Sequence, residues 1–280
     1  MSGKRCSSTR RTAALRPSVK VIPDWPKPVS CYEAGVEVAL FVPCYIDQFY
    51  PQVAMATVEV LERRGCRVIF PEDQTCCGQP MANSGFQEEA RPLAEKFLRV
   101  FGKYERIVSP SGSCVSMVRN HYEPLLGDRA DSMRGRVYEL CEFLHDVLRA
   151  PGRGRFAQKV GFHRSCHGLR ELRLGSGTER FVPSQDKVRA LLAGIDGLEL
   201  CETARPDECC GFGGTFAIDE EAISSRMGRD RIREHEKNAV SLITGTDTSC
   251  LMHLEGLLRR DRKPIRVLHV AELLAQAEAA

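Results

Sequence analysis

Two short stretches of this chain read alike: Cys76-Cys77-Gly78 and Cys209-Cys210-Gly211. Neighbouring side chains of an extended segment point to opposite faces. Two adjacent thiols can aim at one point only where the backbone turns, and a glycine in the third place permits the turn. Each triplet therefore asks for a loop wrapped round something that takes two sulfurs at once. Each also has one further cysteine upstream and one downstream. The first set is Cys44, Cys76, Cys77 and Cys114; the second is Cys166, Cys209, Cys210 and Cys250. Four thiols are the number that holds an iron–sulfur cluster or a structural zinc ion.

The surroundings of the two sets repeat as well. An apolar strand pattern at 36–42 runs into Pro43-Cys44. Val53, Ala56, Thr57, Val60 and Leu61 then share one helical face, and Gly65 closes that helix. A strand at 66–70 opens the loop that carries the first triplet. A helix spans 86–101, with Pro92 tolerated close to its start or at a kink. A strand at 106–108 runs into Cys114 and a helix to residue 122. A strand at 136–140 precedes a helix at 141–148. After Pro151-Gly152-Arg153-Gly154 the order begins again. Strands at 159–163, 197–201 and 239–244 lead to Cys166, to the second triplet and to Cys250, and 266–274 matches 136–144.

Strands alternating with helices predict an α/β fold. The repetition predicts two copies of one cysteine-rich unit, at 36–150 and 151–280, each a mostly parallel sheet flanked by helices. In open sheets of this kind, the loops that follow the strands line one edge, and ligands bind there. Cysteines more than thirty residues apart are thereby expected to converge. The repeat also sorts the thiols. Cys66 and Cys201 fall within strands and read as small core residues. Cys141 corresponds to Ala271, so packing accounts for it. Cys6 and Cys31 receive no role.

Composition narrows the remainder. The chain has 280 residues, 42% of them hydrophobic and 28% charged, which describes a globular chain with a sizeable core. No apolar run reaches the length of a membrane span. Residues 1–35 hold seven Lys and Arg against two acidic residues, and they read as a disordered basic arm. Their Arg and Ser content also suits an organelle transit peptide, although the apolar residues form no helical face. The remaining chain is slightly acidic, which argues against nucleic acid as a partner. Thirteen cysteines without an apolar secretory segment point to metal ligands in a cytoplasmic protein, because disulfides need an oxidising compartment.

Other chemistry is sparse. Residues 152–157 spell G-x-G-x-x-A, but they precede a strand instead of opening a helix, so a dinucleotide loop is rejected. His163 and His167 flank Cys166 and are candidates for acid–base work or for plain burial. The glycines after Cys210 could lend N–H groups to cluster sulfurs or to a carboxylate.

The ordered cysteine pattern resembles the cysteine-rich CCG-domain family, whose members include a subunit of heterodisulfide reductase and the iron–sulfur subunit of glycolate oxidase. Five stretches carry the resemblance to its lactate-utilisation members: 41–51 around Cys44, 75–80 around Cys76 and Cys77, 110–114 ending at Cys114, 208–216 around Cys209 and Cys210, and 247–253 around Cys250. The resemblance implies a [4Fe-4S] cluster in one unit or both. It implies an iron–sulfur subunit of a complex that oxidises L-lactate, or a related 2-hydroxy acid, to pyruvate. Two partner subunits are implied, one of them a ferredoxin-type iron–sulfur protein. A zinc-stabilised scaffold and a reductase-like thiol–disulfide enzyme stay open as alternatives, with zinc a candidate in one unit. The reductase-type motif ends Cys-x-x-Cys. Met117 and His253 hold that last place here, Met117 reading as packing and His253 as a candidate imidazole ligand.

Overall fold

The computed structural model describes residues 35–279. The basic arm read at 1–35 lies, but for Gly35, outside them. Among the described residues, eight strands form two four-stranded sheets. The first contains β1 (Glu37–Leu40), β2 (Arg67–Ile69), β3 (Ile107–Ser109) and β4 (Val137–Glu139) in the order β2-β1-β3-β4. The second contains β5 (Lys159–His163), β6 (Glu199–Cys201), β7 (Leu242–Gly245) and β8 (Arg266–His269) in the order β6-β5-β7-β8. Every pairing is parallel. Helices cover the sheets, as the alternation predicts. In each sheet the chain steps outward to one side of the first strand and then returns to its other side. The loops leaving β1 and β3, and those leaving β5 and β7, therefore part and open a crevice.

The helix Pro51–Glu62 buries Val53, Ala56, Thr57, Val60 and Leu61, the face read from spacing. Gln87–Phe101 continues through Pro92 as one helix. The helix expected at 141–148 differs. It is a short turn at Leu140–Glu142 followed by a wider π turn at Phe143–Val147, in which the Leu148 N–H reaches back five residues to the Phe143 carbonyl. Its counterpart, Val270–Ala279, is a regular helix.

These two closing helices are exchanged. Val270–Ala279 packs on Pro51–Glu62, while Leu140–Glu142 packs on Lys187–Leu192 beside the second sheet. The Arg63 guanidinium donates to the Ala275 carbonyl at 2.9 Å, and Arg64 pairs with Glu278 in a buried contact. One hydrophobic core consequently runs from Val38 and Phe41 through Val160 and Leu191 to Leu273 and Leu274. A smaller cluster around Ile232, Ile243 and Leu254 lies against the second sheet. The segment spelling G-x-G-x-x-A is part of this packing: the Arg155 N–H donates to the Ala277 carbonyl at 2.9 Å, and a Cβ on Gly154 would intrude on that carbonyl. Among the described residues, no helix is long and apolar enough to cross a membrane.

Candidate metal centre

Each cysteine of the two sets lies in a segment that follows a strand. Cys44 opens the helix Cys44–Phe49 behind Pro43. Cys76 and Cys77 follow β2, and Gly78 then turns the chain into Gln79–Asn83. Cys114 is the third residue of Gly112–Asn120, where its N–H donates to the capping Ser111 hydroxyl at 3.4 Å. The second half repeats the arrangement. Cys166 precedes the turn His167–Glu171, Cys209 and Cys210 follow β6, and Cys250 is the third residue of Thr248–Arg260, whose cap is Asp247. Gly78 and Gly211 have φ of +86° and +92°, the left-handed region that side chains disfavour. At Gly211 a Cβ would also lie 2.6 Å from the Ser224 carbonyl oxygen.

The turns bring the sulfurs into two chains of contacts. Cys44 Sγ lies 3.7 Å from Cys76 Sγ. Cys76 interacts in turn with Cys77, and Cys77 with Cys114. The other chain runs Cys166, Cys209, Cys210, Cys250. Hydrogen bonds from the Cys44 and Cys77 thiols, with the Gly78 N–H at 3.4 Å, pull the Cys76 thiol down to about 3. Bonds from Cys166 and Cys210, with the Gly211 N–H at 3.3 Å, pull Cys209 down to about 2. Cys44 and Cys166 are pushed up because each donates to its thiolate neighbour. In each set one thiol is thus biased toward the thiolate form that a metal ligand must take.

All eight of these cysteines line one cavity of about 130 Å³. The two sheets present their loop-bearing edges to each other across it. The Ser113 N–H donates to Asp247 Oδ2 at 2.6 Å, and the Gly112 N–H donates to the Thr246 carbonyl at 3.2 Å. Gln79 Nε2 lies 3.4 Å from His167 Nε2, and Tyr45 meets Phe212 edge to face at 5.9 Å between ring centres. Cys66, Cys141 and Cys201 do not line the cavity. Cys6 and Cys31 lie outside the described residues. Met117 is buried in the core, as its packing role predicts.

His253 directs Nε2 to the Ser224 carbonyl at 3.3 Å. His163, at the end of β5, brings a ring nitrogen within 4.8 Å of both the Cys210 and Cys250 sulfurs. Burial first, and the nearby Arg231 charge next, lower its pKa to about 3, so the ring is neutral. Neither ring nitrogen has a hydrogen-bond partner among the described residues. Convergent thiols, glycine N–H groups on sulfur and an unpartnered buried imidazole fit a thiophilic metal, whether an iron–sulfur cluster or zinc.

Comparison with known proteins agrees with this layout. The CCG cysteine-rich domain matches residues 38–119 and 160–255. The chain is 40% identical over 248 residues to Lactate utilization protein A 2 of Bacillus cereus, covering 86% of this chain and 98% of the relative. It is 40% identical over 250 residues to Lactate utilization protein A of Halalkalibacterium halodurans, covering 87% and 98%. The chain belongs to the lactate utilization protein A family. The two cysteine-rich matches of this family member contain one cysteine set each. Among solved structures, a hypothetical protein from Helicobacter pylori superposes with a TM-score of 0.55 at 11% identity, over 87% of this chain and 49% of that one. That likeness concerns the fold alone.

Proposed function

We propose that the chain is an iron–sulfur electron-transfer subunit of a cytoplasmic system that oxidises L-lactate, or a related 2-hydroxy acid, to pyruvate. One observation carries this reading: two four-thiol sets open on one shared cavity. Cys44, Cys76, Cys77 and Cys114 would hold one centre, and Cys166, Cys209, Cys210 and Cys250 the other. A bound iron–sulfur cluster supplies one-electron steps. Two such centres match a donor that gives up two electrons. The Gly78 and Gly211 N–H groups, aimed at sulfur, would stabilise the reduced charge. The relatives, whose name speaks of lactate utilization, support this choice of substrate.

Oxidising a hydroxy acid also removes a hydride equivalent, which flavins and nicotinamides accept. The reading therefore includes partner subunits, one of them a ferredoxin-type iron–sulfur protein. Phe49, Met81, Phe86 and Ile218 are exposed on segments that follow the cysteines, and they support docking at that edge. A zinc-stabilised scaffold is the competing reading, favoured by the nitrogen and sulfur atoms of His163, Cys210 and Cys250. Metal analysis of anaerobically purified chain separates the two. Iron with acid-labile sulfide supports the electron-transfer reading, and zinc alone overturns it.

A further inference from the structure

The two halves differ beneath their cysteines. The pairings Val38↔Val68 and Ala39↔Ile107 in the first sheet correspond to Val160↔Leu200 and Gly161↔Ile243 in the second. Ala39 therefore corresponds to Gly161, and two residues on, Phe41 corresponds to His163. The helices behind the triplets align in the same way. Gly78 lies against Ala90 and Leu93, and Gly211 lies against Ser224 and Met227. Counting on from these contacts, Phe97 corresponds to Arg231 and Phe101 to His235.

In the first half, Phe41, Phe97 and Phe101 form a packed aromatic cluster, with ring centres 5.1, 5.5 and 4.5 Å apart. In the second, His163, Arg231 and His235 are buried in the same places. Gly161 makes the room, since a Cβ there would lie 2.4 Å from His235 Nδ1. Exchanging three aromatic rings for three polar groups costs desolvation unless something partners them. Arg231 is partnered by the Arg205 carbonyl and the Thr203 hydroxyl. His235 and His163 both lack a hydrogen-bond partner among the described residues, although buried polar groups are rarely left that way; His163 is the one beside the cysteines. What it does have is two sulfurs, those of Cys210 and Cys250, with the three ligand atoms all within 4.8 Å of one another.

We propose that His163 is a ligand of the metal centre held by the second cysteine set, which makes that centre a mixed nitrogen–sulfur site beside an all-thiolate first centre. The inference rests on the metal-centre reading above. It assigns the imidazole to the end of β5, while His253 stays on the Ser224 carbonyl. The second set already offers four thiols, so the imidazole takes the place of one of them on the metal; there it brings no negative charge where a thiolate would, and histidine ligation makes an iron–sulfur centre easier to reduce. The buried Arg231 guanidinium acts in the same direction. The second centre is accordingly the more easily reduced of the two.

Pulsed EPR of the full chain, reconstituted anaerobically with iron and sulfide and then reduced, tests this. Wild type should show the nitrogen hyperfine coupling of a bound imidazole. The coupling should vanish in His163→Ala and in His163→Cys, which preserves a ligand should the alanine variant fail to fold. It should persist in His253→Ala. His163→Cys should also make the second centre harder to reduce. A wild-type spectrum without nitrogen coupling, or coupling that survives both His163 changes, overturns the assignment. Iron content of the same samples keeps the two ideas apart: full iron without nitrogen coupling defeats His163 ligation alone, whereas a chain that takes up no iron defeats the cluster reading. For a chain that takes only zinc, cobalt substitution reads the same ligand. The cobalt visible bands must then change in His163→Cys, and unchanged bands overturn the proposal.

Discussion

The Cys44 and Cys76 sulfurs lie 3.7 Å apart although 32 residues separate them. No local spacing produces that contact; the two loops meet because β1 and β2 are adjacent parallel strands. If the contact is a ligand pair, Cys76→Ser should remove about half of the iron and sulfide, and so should Cys210→Ser in the other set, since a hydroxyl is a poor substitute for a thiolate on iron. Cys141→Ser should leave both unchanged. Colorimetric iron and sulfide assays on the three variants decide it. Equal, small losses in all three would mean that the sets are packing thiols.

Gly161→Ala should destabilise the fold by about 1–3 kcal/mol, because the added methyl overlaps His235 in a packed core. Placing the same change on a His235→Ala background should recover most of the loss, as expected for two residues in contact. Denaturant midpoints of the two single variants and the double variant measure the coupling. Strict additivity would show that the two side chains do not compete for this space.

Glu139 supplies a pH dependence. It is buried and accepts hydrogen bonds from the Cys141 and Glu142 N–H groups at 2.7 and 3.1 Å. Burial outweighs these and raises its pKa from 4.5 to about 8. The folded state thus holds a proton that the unfolded state has released. Stability should fall as pH rises between those two values and be level above and below them. Glu139→Gln keeps an oxygen for the cap and removes the charge. It should flatten that slope and add on the order of 1–3 kcal/mol at the alkaline end. Urea midpoints of the metal-free chain at about pH 5 and about pH 9 test the difference. Parallel slopes for wild type and variant would refute it.

The chain alone should show little or no lactate oxidation with an artificial electron acceptor. Activity should appear when partner subunits are added, and it should fall when Cys77 or Cys210 is changed. Robust turnover by the purified single chain without a flavin would place the hydride chemistry here, with His163, His167 and His253 the first residues to examine.

Much of the fold was legible because its signals are local. The apolar face of Pro51–Glu62 could be counted from spacing, and the strand–helix alternation is the one found. The π turn at Phe143–Val147 was not legible: its residues read as an ordinary helix, and only the observed hydrogen bonds show the widening. His163 was visible as a residue but not as a neighbour of Cys210 and Cys250. The sequence marks it only by its place near Cys166; that it takes the place of Phe41 becomes plain once strand registers are aligned.

The residue order by itself determined the two-fold repetition, the kinds of elements and the sorting of thiols into two sets. Periodicity and glycine turns act over a few residues, so they can be read without the fold. Only the tertiary structure decided that both sets open on one cavity, that the closing helices are exchanged, and that His163 stands beside the Cys210 and Cys250 sulfurs. Those facts depend on strand register and on packing between residues as distant as Arg64 and Glu278, where burial of one face against another selects the neighbours.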